Sequence, residues 1–154
     1  MKDELAATVV TDGIPDDIAE RHRVMAKERG YAFPTFLWLG REDPDFERTR
    51  LEYVRMSYTR PDARLPVKYK ELVASAVLAF KSYPSLKKHL RRAMVEGATL
   101  REVIEAMEAA SDPGGMASLH FAVDTLIELE QEEPELLERA RAADRDGDQA
   151  ATRT

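Results

Sequence analysis

The sequence predicts an all-α fold, a helical bundle of about six helices, and three observations carry that expectation. No stretch alternates apolar and polar residues with the two-residue period of a strand. Proline and glycine recur at helix-length intervals, at the positions where helices start and stop. Within residues 65–90 (LPVKYKELVASAVLAFKSYPSLKKHL), the run from Leu72 to Phe80 has Ser75 as its only polar side chain. A helix apolar on all sides is expected in the middle of a bundle.

Residues 1–14 read as a flexible arm ending at the turn signal Asp12-Gly13. Pro15 at the first helical position, Asp16 and Asp17 in the first turn and Gly30 as a stop predict a helix over 15–29. His22, among Glu20, Arg21 and Arg23, reads as a surface histidine. In residues 31–39 (YAFPTFLWL), Pro34 interrupts any long helix, so a turn and a short helix are expected. Its aromatics, Trp38 among them, either fill a core or form the wall of an apolar pocket or subunit interface. Asp43-Pro44 opens a helix to about Thr59, with Phe46, Leu51, Val54 and Tyr58 inward and Glu47, Arg48, Arg50 and Glu52 solvated.

Pro66 opens the central helix, 67–80, and residues 84–96 form the next. Gly97 is placed as a C-cap, and Thr99 with Glu102 forms the capping box of a helix from Leu100 to about Ala110. Residues 111–115 (SDPGG) break the chain before a long helix from Met116 to about Gln131. Residues 15–133 therefore read as a single helical domain. Pro134 opens an acidic helix to about Ala143, and the polar end, DRDGDQAATRT, reads as disordered.

Composition narrows the function classes. With 154 residues, 44% hydrophobic and 34% charged, the chain can bury a core. A net charge of −6 argues against a nucleic-acid partner, because phosphate binding needs clustered lysine and arginine. The densest basic patch, Lys87, Lys88, Arg91 and Arg92, reads as a solvated or anion-facing surface. The chain has no cysteine, which excludes disulfides, thiolate metal sites and thiol catalysis. No apolar run is long enough to span a bilayer and the first residues carry no signal-peptide core, so no membrane partner and a cytoplasmic setting are expected. Three histidines on separate helices lack paired ligand spacing, and residues 144–148 (DRDGD) lack the order of a calcium loop. No metal and no cofactor are expected.

Residues 44–130 resemble the carboxymuconolactone decarboxylase and alkylhydroperoxidase-like family. The resemblance lies in Asp43-Pro44-Asp45-Phe46, in Leu-Pro-x-Lys-x-Lys-Glu-Leu at 65–72 with the apolar run after it, and in His89-Leu90-Arg91 with Ala93. It continues in Gly97-Ala98-Thr99-x-x-Glu102-Val103 and a Gly-Gly break followed by small residues. The peroxidase-type members carry Cys-x-x-Cys-x-x-x-His, with a glutamate twelve residues before the first cysteine. Counted back from His89, those cysteine positions fall on Ser82 and Ser85, and Glu71 stands one residue closer than the pattern. A serine hydroxyl cannot cycle through a sulfenic acid, so thiol peroxidase chemistry is excluded. The decarboxylase branch lacks the cysteine pair and keeps the histidine, which is nearer to this chain. The resemblance also implies a homo-oligomer, trimer or hexamer, with sites near its interfaces.

His89 and Glu71 are the candidate catalytic residues. An imidazole titrates near neutral pH and can donate or accept a proton, and a carboxylate can fix its tautomer or act as partner base. Ser82, Tyr83, Ser85 and Arg92 are candidates to bind a substrate carboxylate or oxyanion. Trp38 is a candidate pocket wall, and His120 is either a core histidine or a second site histidine. If the chain reverses near Tyr83, Glu71 and His89 are offset by about 9 Å along the hairpin. Contact then requires a bent connection, long side chains or a Glu71 from a neighbouring subunit. Two functions follow. One is a cofactor-free acid–base enzyme, a decarboxylase or related lyase or isomerase, acting on a small anionic cyclic or keto compound. The alternative is a catalytically inactive helical oligomer that binds an apolar small molecule or serves as an interaction protein.

Overall fold

A computed structural model describes residues 9–151 of the chain, with side chains described for residues 9–145. The described residues form eight α-helices and no strand, the all-α fold expected, with more helices than the six or so predicted. By its internal contacts the chain divides into two compact units, residues 1–63 and 64–154. Of the expected N-terminal arm, residues 1–8 lie outside the described residues.

The first unit holds α1 (Asp16–Arg29), α2 (Pro34–Glu42) and α3 (Pro44–Val54), the last continued by a π-helical turn, Arg55–Thr59. Pro34 and Pro44 open their helices, where a missing N–H leaves no bond unmade. Asp43 caps α3 by accepting from the Phe46 N–H at 3.1 Å. Gly30 ends α1 at φ 78°, a left-handed conformation that costs glycine little. Ile14, Ile18, Ala19 and Leu51 form the core, with Met25 and Leu37 packed on it.

Three expectations for this unit are corrected. His22 is buried rather than on the surface, because Ile18, His22 and Ala26 recur one turn apart on the inward face of α1. Glu47 was expected to be solvated. It is fully buried instead, its carboxylate 3.0 Å from His22 Nε2 and accepting from Arg50 Nε and Nη2 at 2.6 Å each. Phe46, expected inward, is exposed. The charged neighbours of His22 and Glu47 in the sequence hid their faces. Burial is the largest influence on His22 and pushes its pKa below the usual histidine value. The Glu47 charge opposes that shift and Arg50 adds to it.

The second unit holds α4 (Val67–Phe80), α5 (Leu86–Val95), α6 (Leu100–Gly114), α7 (Met116–Glu132) and α8 (Pro134–Ala151). Its core includes Leu72, Leu86, Leu90, Val103, Met107, Ala122, Leu129 and Leu137, drawn from all five helices. The capping box of α6 is present as expected: Thr99 Oγ1 accepts from the Glu102 N–H at 3.1 Å, and Glu102 Oε2 from the Thr99 N–H at 3.0 Å. Glu102 also accepts from Lys68 Nζ at 2.8 Å, tying the first turn of α4 to α6.

Helix α6 runs past the expected Ala110 to Gly114, with Pro113 in its last turn, and Gly115 at φ 81° makes the break. Helix α8 starts at Pro134 as predicted and continues past the expected Ala143 to Ala151. The central helix α4 is not covered on all sides within this chain. Glu71, Leu72, Ser75 and Ala79 face inward, while Tyr69, Val73, Val77 and Phe80 form an exposed apolar stripe at helical spacing.

Thr99→Ala should lower the unfolding free energy by about 1 kcal/mol in urea titrations, the usual worth of an N-cap hydroxyl. The depressed pKa of His22 has a definite sign. The unfolded chain takes up a proton near the ordinary histidine value of about 6.5 and the folded chain only at lower pH. Stability is therefore full above that value and declines as pH falls through the window below it. Urea unfolding followed by the fluorescence of Trp38 should show this decline, and His22→Gln should flatten it.

Candidate functional site

The site is built on the seam between α4 and α5. Glu71 is the fifth residue of α4, beyond the first turn, so the helix dipole is not what places it there. Its face is set by Leu72, Ser75 and Ala79, which turn inward with it. After Phe80 the chain reverses through residues 81–85, with Ser82 at φ 47°, a left-handed conformation unusual for serine. Helix α5 begins at Leu86, two residues later than Pro84, the predicted start. This five-residue connection, together with two long side chains, closes the axial offset expected from the sequence.

As a result His89 Nδ1 lies 2.6 Å from Glu71 Oε2 within one chain. The Glu71 side chain is 1% exposed and the imidazole 12% exposed, so the contact is shielded from bulk water. At this distance a carboxylate accepts the Nδ1 proton, which makes Nε2 the basic nitrogen of the neutral ring. A carboxylate buried this deeply needs a hydrogen-bonded partner, and the imidazole supplies one for Oε2. The second oxygen, Oε1, is buried with no hydrogen-bond partner among the described residues.

The other sequence candidates fall at different places. Arg92, three residues after His89 on α5, is buried, its Nη2 paired to Glu96 Oε1 at 2.7 Å. Its Nε and Nη1 are buried without a hydrogen-bond partner among the described residues. Ser85 occupies the N-cap position of α5, yet its side chain caps nothing. Ser82 and Tyr83 are exposed in the connection. His120 is exposed on α7, so it is not a core histidine. Trp38 belongs to the first unit, where it is 57% exposed and lines a cavity of about 440 Å³ with Val10, Ile14, Leu37 and Arg41. Lys88, next to His89 in sequence, has its pKa lowered by burial.

Two features with functional potential, one residue and one cavity, escaped the sequence reading. Ser75 is fully buried one helical turn from Glu71, its Oγ without a partner. Its spacing of four from Glu71 was the available signal. The first unit also holds a cavity of about 380 Å³ floored by Val24, Met25, Leu51 and Val54 and edged by Arg21, Arg29 and Arg55. Among the described residues, no group of three or more His, Asp or Glu is arranged to hold a metal ion. No described helix is long and apolar enough to cross a membrane.

Residues 44–128 match the profile of the carboxymuconolactone decarboxylase family, a span that includes both Glu71 and His89. In the comparison with curated proteins, nothing matches the chain. Among solved structures, the fold is similar to that of a protein of Burkholderia xenovorans LB400 provisionally named a carboxymuconolactone decarboxylase. The TM-score is 0.67 and the identity 24%, over 77% of this chain and 96% of that one. At that identity the likeness establishes the fold.

A buried pair kept for chemistry and one kept for stability respond differently to replacement. Exchanging both members for apolar residues (Glu71→Leu with His89→Leu) should leave unfolding free energy unchanged or raise it by about 1–4 kcal/mol, as for other buried ionic pairs. A loss of stability in urea titrations would mark the pair as structural.

Proposed function

The chain belongs to the carboxymuconolactone decarboxylase family, and on that premise we propose that it is a cofactor-free acid–base enzyme centred on His89. Its substrate in this reading is a small anionic cyclic or keto compound, and the reaction a decarboxylation or a related lyase or isomerase step. The observation that carries the reading is the 2.6 Å contact between His89 Nδ1 and Glu71 Oε2 in a shielded position. Glu71 holds the tautomer and stabilises the imidazolium, and His89 moves a proton at Nε2. In a decarboxylation the bond to the carboxylate carbon breaks and carbon dioxide leaves. The electron pair stays as an enolate, which the imidazolium protonates at carbon. Arg92, with two buried guanidinium nitrogens lacking partners among the described residues, supplies positive charge for the substrate carboxylate or the enolate oxygen. The absence of cysteine removes thiol peroxidase chemistry from the choices.

A homo-oligomer, trimer or hexamer, is part of this reading. Support comes from the exposed stripe of Tyr69, Val73, Val77 and Phe80, whose burial against another copy would remove apolar surface from water. The alternative is a non-catalytic oligomer that holds an apolar small molecule, and the 380 Å³ cavity over Val24, Met25, Leu51 and Val54 favours it.

Turnover of candidate lactones and keto acids tests the choice. His89→Gln keeps a donor for Glu71 and should abolish activity, at least about a hundredfold, the usual scale of a general acid or base. Unchanged turnover would remove His89 from the chemistry. Binding without turnover in the wild type would favour the alternative. In sedimentation the wild type should run as a multiple of 17.4 kDa, and Val73→Glu with Val77→Glu should run as a monomer.

A further inference from the structure

Glu71 Oε1 and Ser75 Oγ are both buried, and both lack a hydrogen-bond partner among the described residues. They stand at positions i and i+4 of α4, a spacing that stacks side chains on one face with Cβ atoms about 5–6 Å apart. One is an acceptor with an unused oxygen and the other a hydroxyl, and the two stand outside direct hydrogen-bond geometry. Leaving both unmade in the interior is unfavourable, and one water between them satisfies both.

The behaviour of the other buried helix hydroxyls strengthens the case. Ser118 Oγ donates to Gly115 O and Thr125 Oγ1 to Phe121 O, each at 2.7 Å, the ordinary resort of a hydroxyl inside a helix. Ser75 makes no such bond, although it is fully buried. Serine is also the one polar side chain in the run 72–80, where an apolar residue would fill the same space without a hydroxyl to satisfy.

We infer that Ser75 is a positioning residue for Glu71: its hydroxyl donates across one bridging water to Oε1 and so holds Oε2 against His89 Nδ1. The inference rests on the Glu71–His89 site proposed above. With Oε1 pinned, the carboxylate cannot turn about its terminal bond, and the imidazole keeps one orientation and one tautomer. Three other long charged side chains of α5 are engaged elsewhere: Lys87 with Glu128 and Glu132, Arg91 with Glu133, and Arg92 with Glu96. Removing the Ser75 hydroxyl therefore changes the hold on Glu71 and leaves those pairs intact.

The test is proton NMR of the full chain, reading the exchange rate of the His89 Nδ1–H, identified by its loss in His89→Gln. The wild type should show a slowly exchanging Nδ1–H. Ser75→Ala should speed its exchange about fivefold or more, the equilibrium weight of one hydrogen bond, while the backbone amides of α4 exchange as before. Ser75→Cys, nearly isosteric and a weak donor, should follow Ser75→Ala and serves if that variant fails to fold. Unchanged Nδ1–H exchange in the folded variants overturns the inference, as does faster exchange spread over all the α4 amides. A wild type without the slow proton would remove the Glu71–His89 contact itself. Turnover that survives in His89→Gln would instead remove only the proposed chemistry, leaving this comparison valid.

Discussion

Burying the carboxylate of Glu71 is the constraint to which the rest of the second unit is fitted. A carboxylate taken out of water is tolerated only where a donor meets it, and here the donor is an imidazole from the next helix at 2.6 Å. That requirement sets the register of α5 against α4. Leu72 and Ala79 on one helix and Leu86, Leu90 and Ala93 on the other then close into one core around the pair. The capping box of α6 and the Lys68–Glu102 bond tie the N-terminal end of α4 to α6. The apolar packing supplies the stability, and the polar contact is accommodated within it.

The first unit contains a second buried acid–histidine contact, and the comparison shows what differs at the candidate site. Glu47 meets His22 at 3.0 Å, but it also receives two hydrogen bonds from Arg50, whose guanidinium lies 3.7 Å from the centre of the Phe36 ring. The arginine satisfies both oxygens and leaves the histidine to be governed by its burial. Among the described residues, Glu71 has only the imidazole, on one oxygen. The two acids therefore differ in what compensates them: a guanidinium on both oxygens of Glu47, and a single imidazole nitrogen on Glu71.

Family membership adds to this picture without replacing it. The profile spans the two residues that meet, and the positions where cysteines stand in the peroxidase-type pattern carry Ser82, exposed, and Ser85, half-buried. Neither serine caps α5 nor enters the buried contact. The polar groups brought together at this seam are the carboxylate and the imidazole, with Arg92 one turn further along α5.

Much of the helical layout was legible in local chemistry. Pro34, Pro44 and Pro134 open helices, Gly30 and Gly115 sit at left-handed stops, and the Thr99–Glu102 box forms as written, because each depends only on residues within one turn. Faces were harder to read. His22 and Glu47 are each flanked by charged residues that point outward, so composition misled where helical phase decided. The apolar run of α4 announced burial all round, yet within this chain Val73 and Val77 are exposed, since sequence cannot distinguish a face covered by its own fold from one left open. The sequence by itself determined an all-α chain without thiol chemistry, holding an acid and a histidine eighteen residues apart. Only the tertiary structure decided that they meet, because the meeting depends on how five residues turn between two helices, and long-range register is not encoded in local spacing.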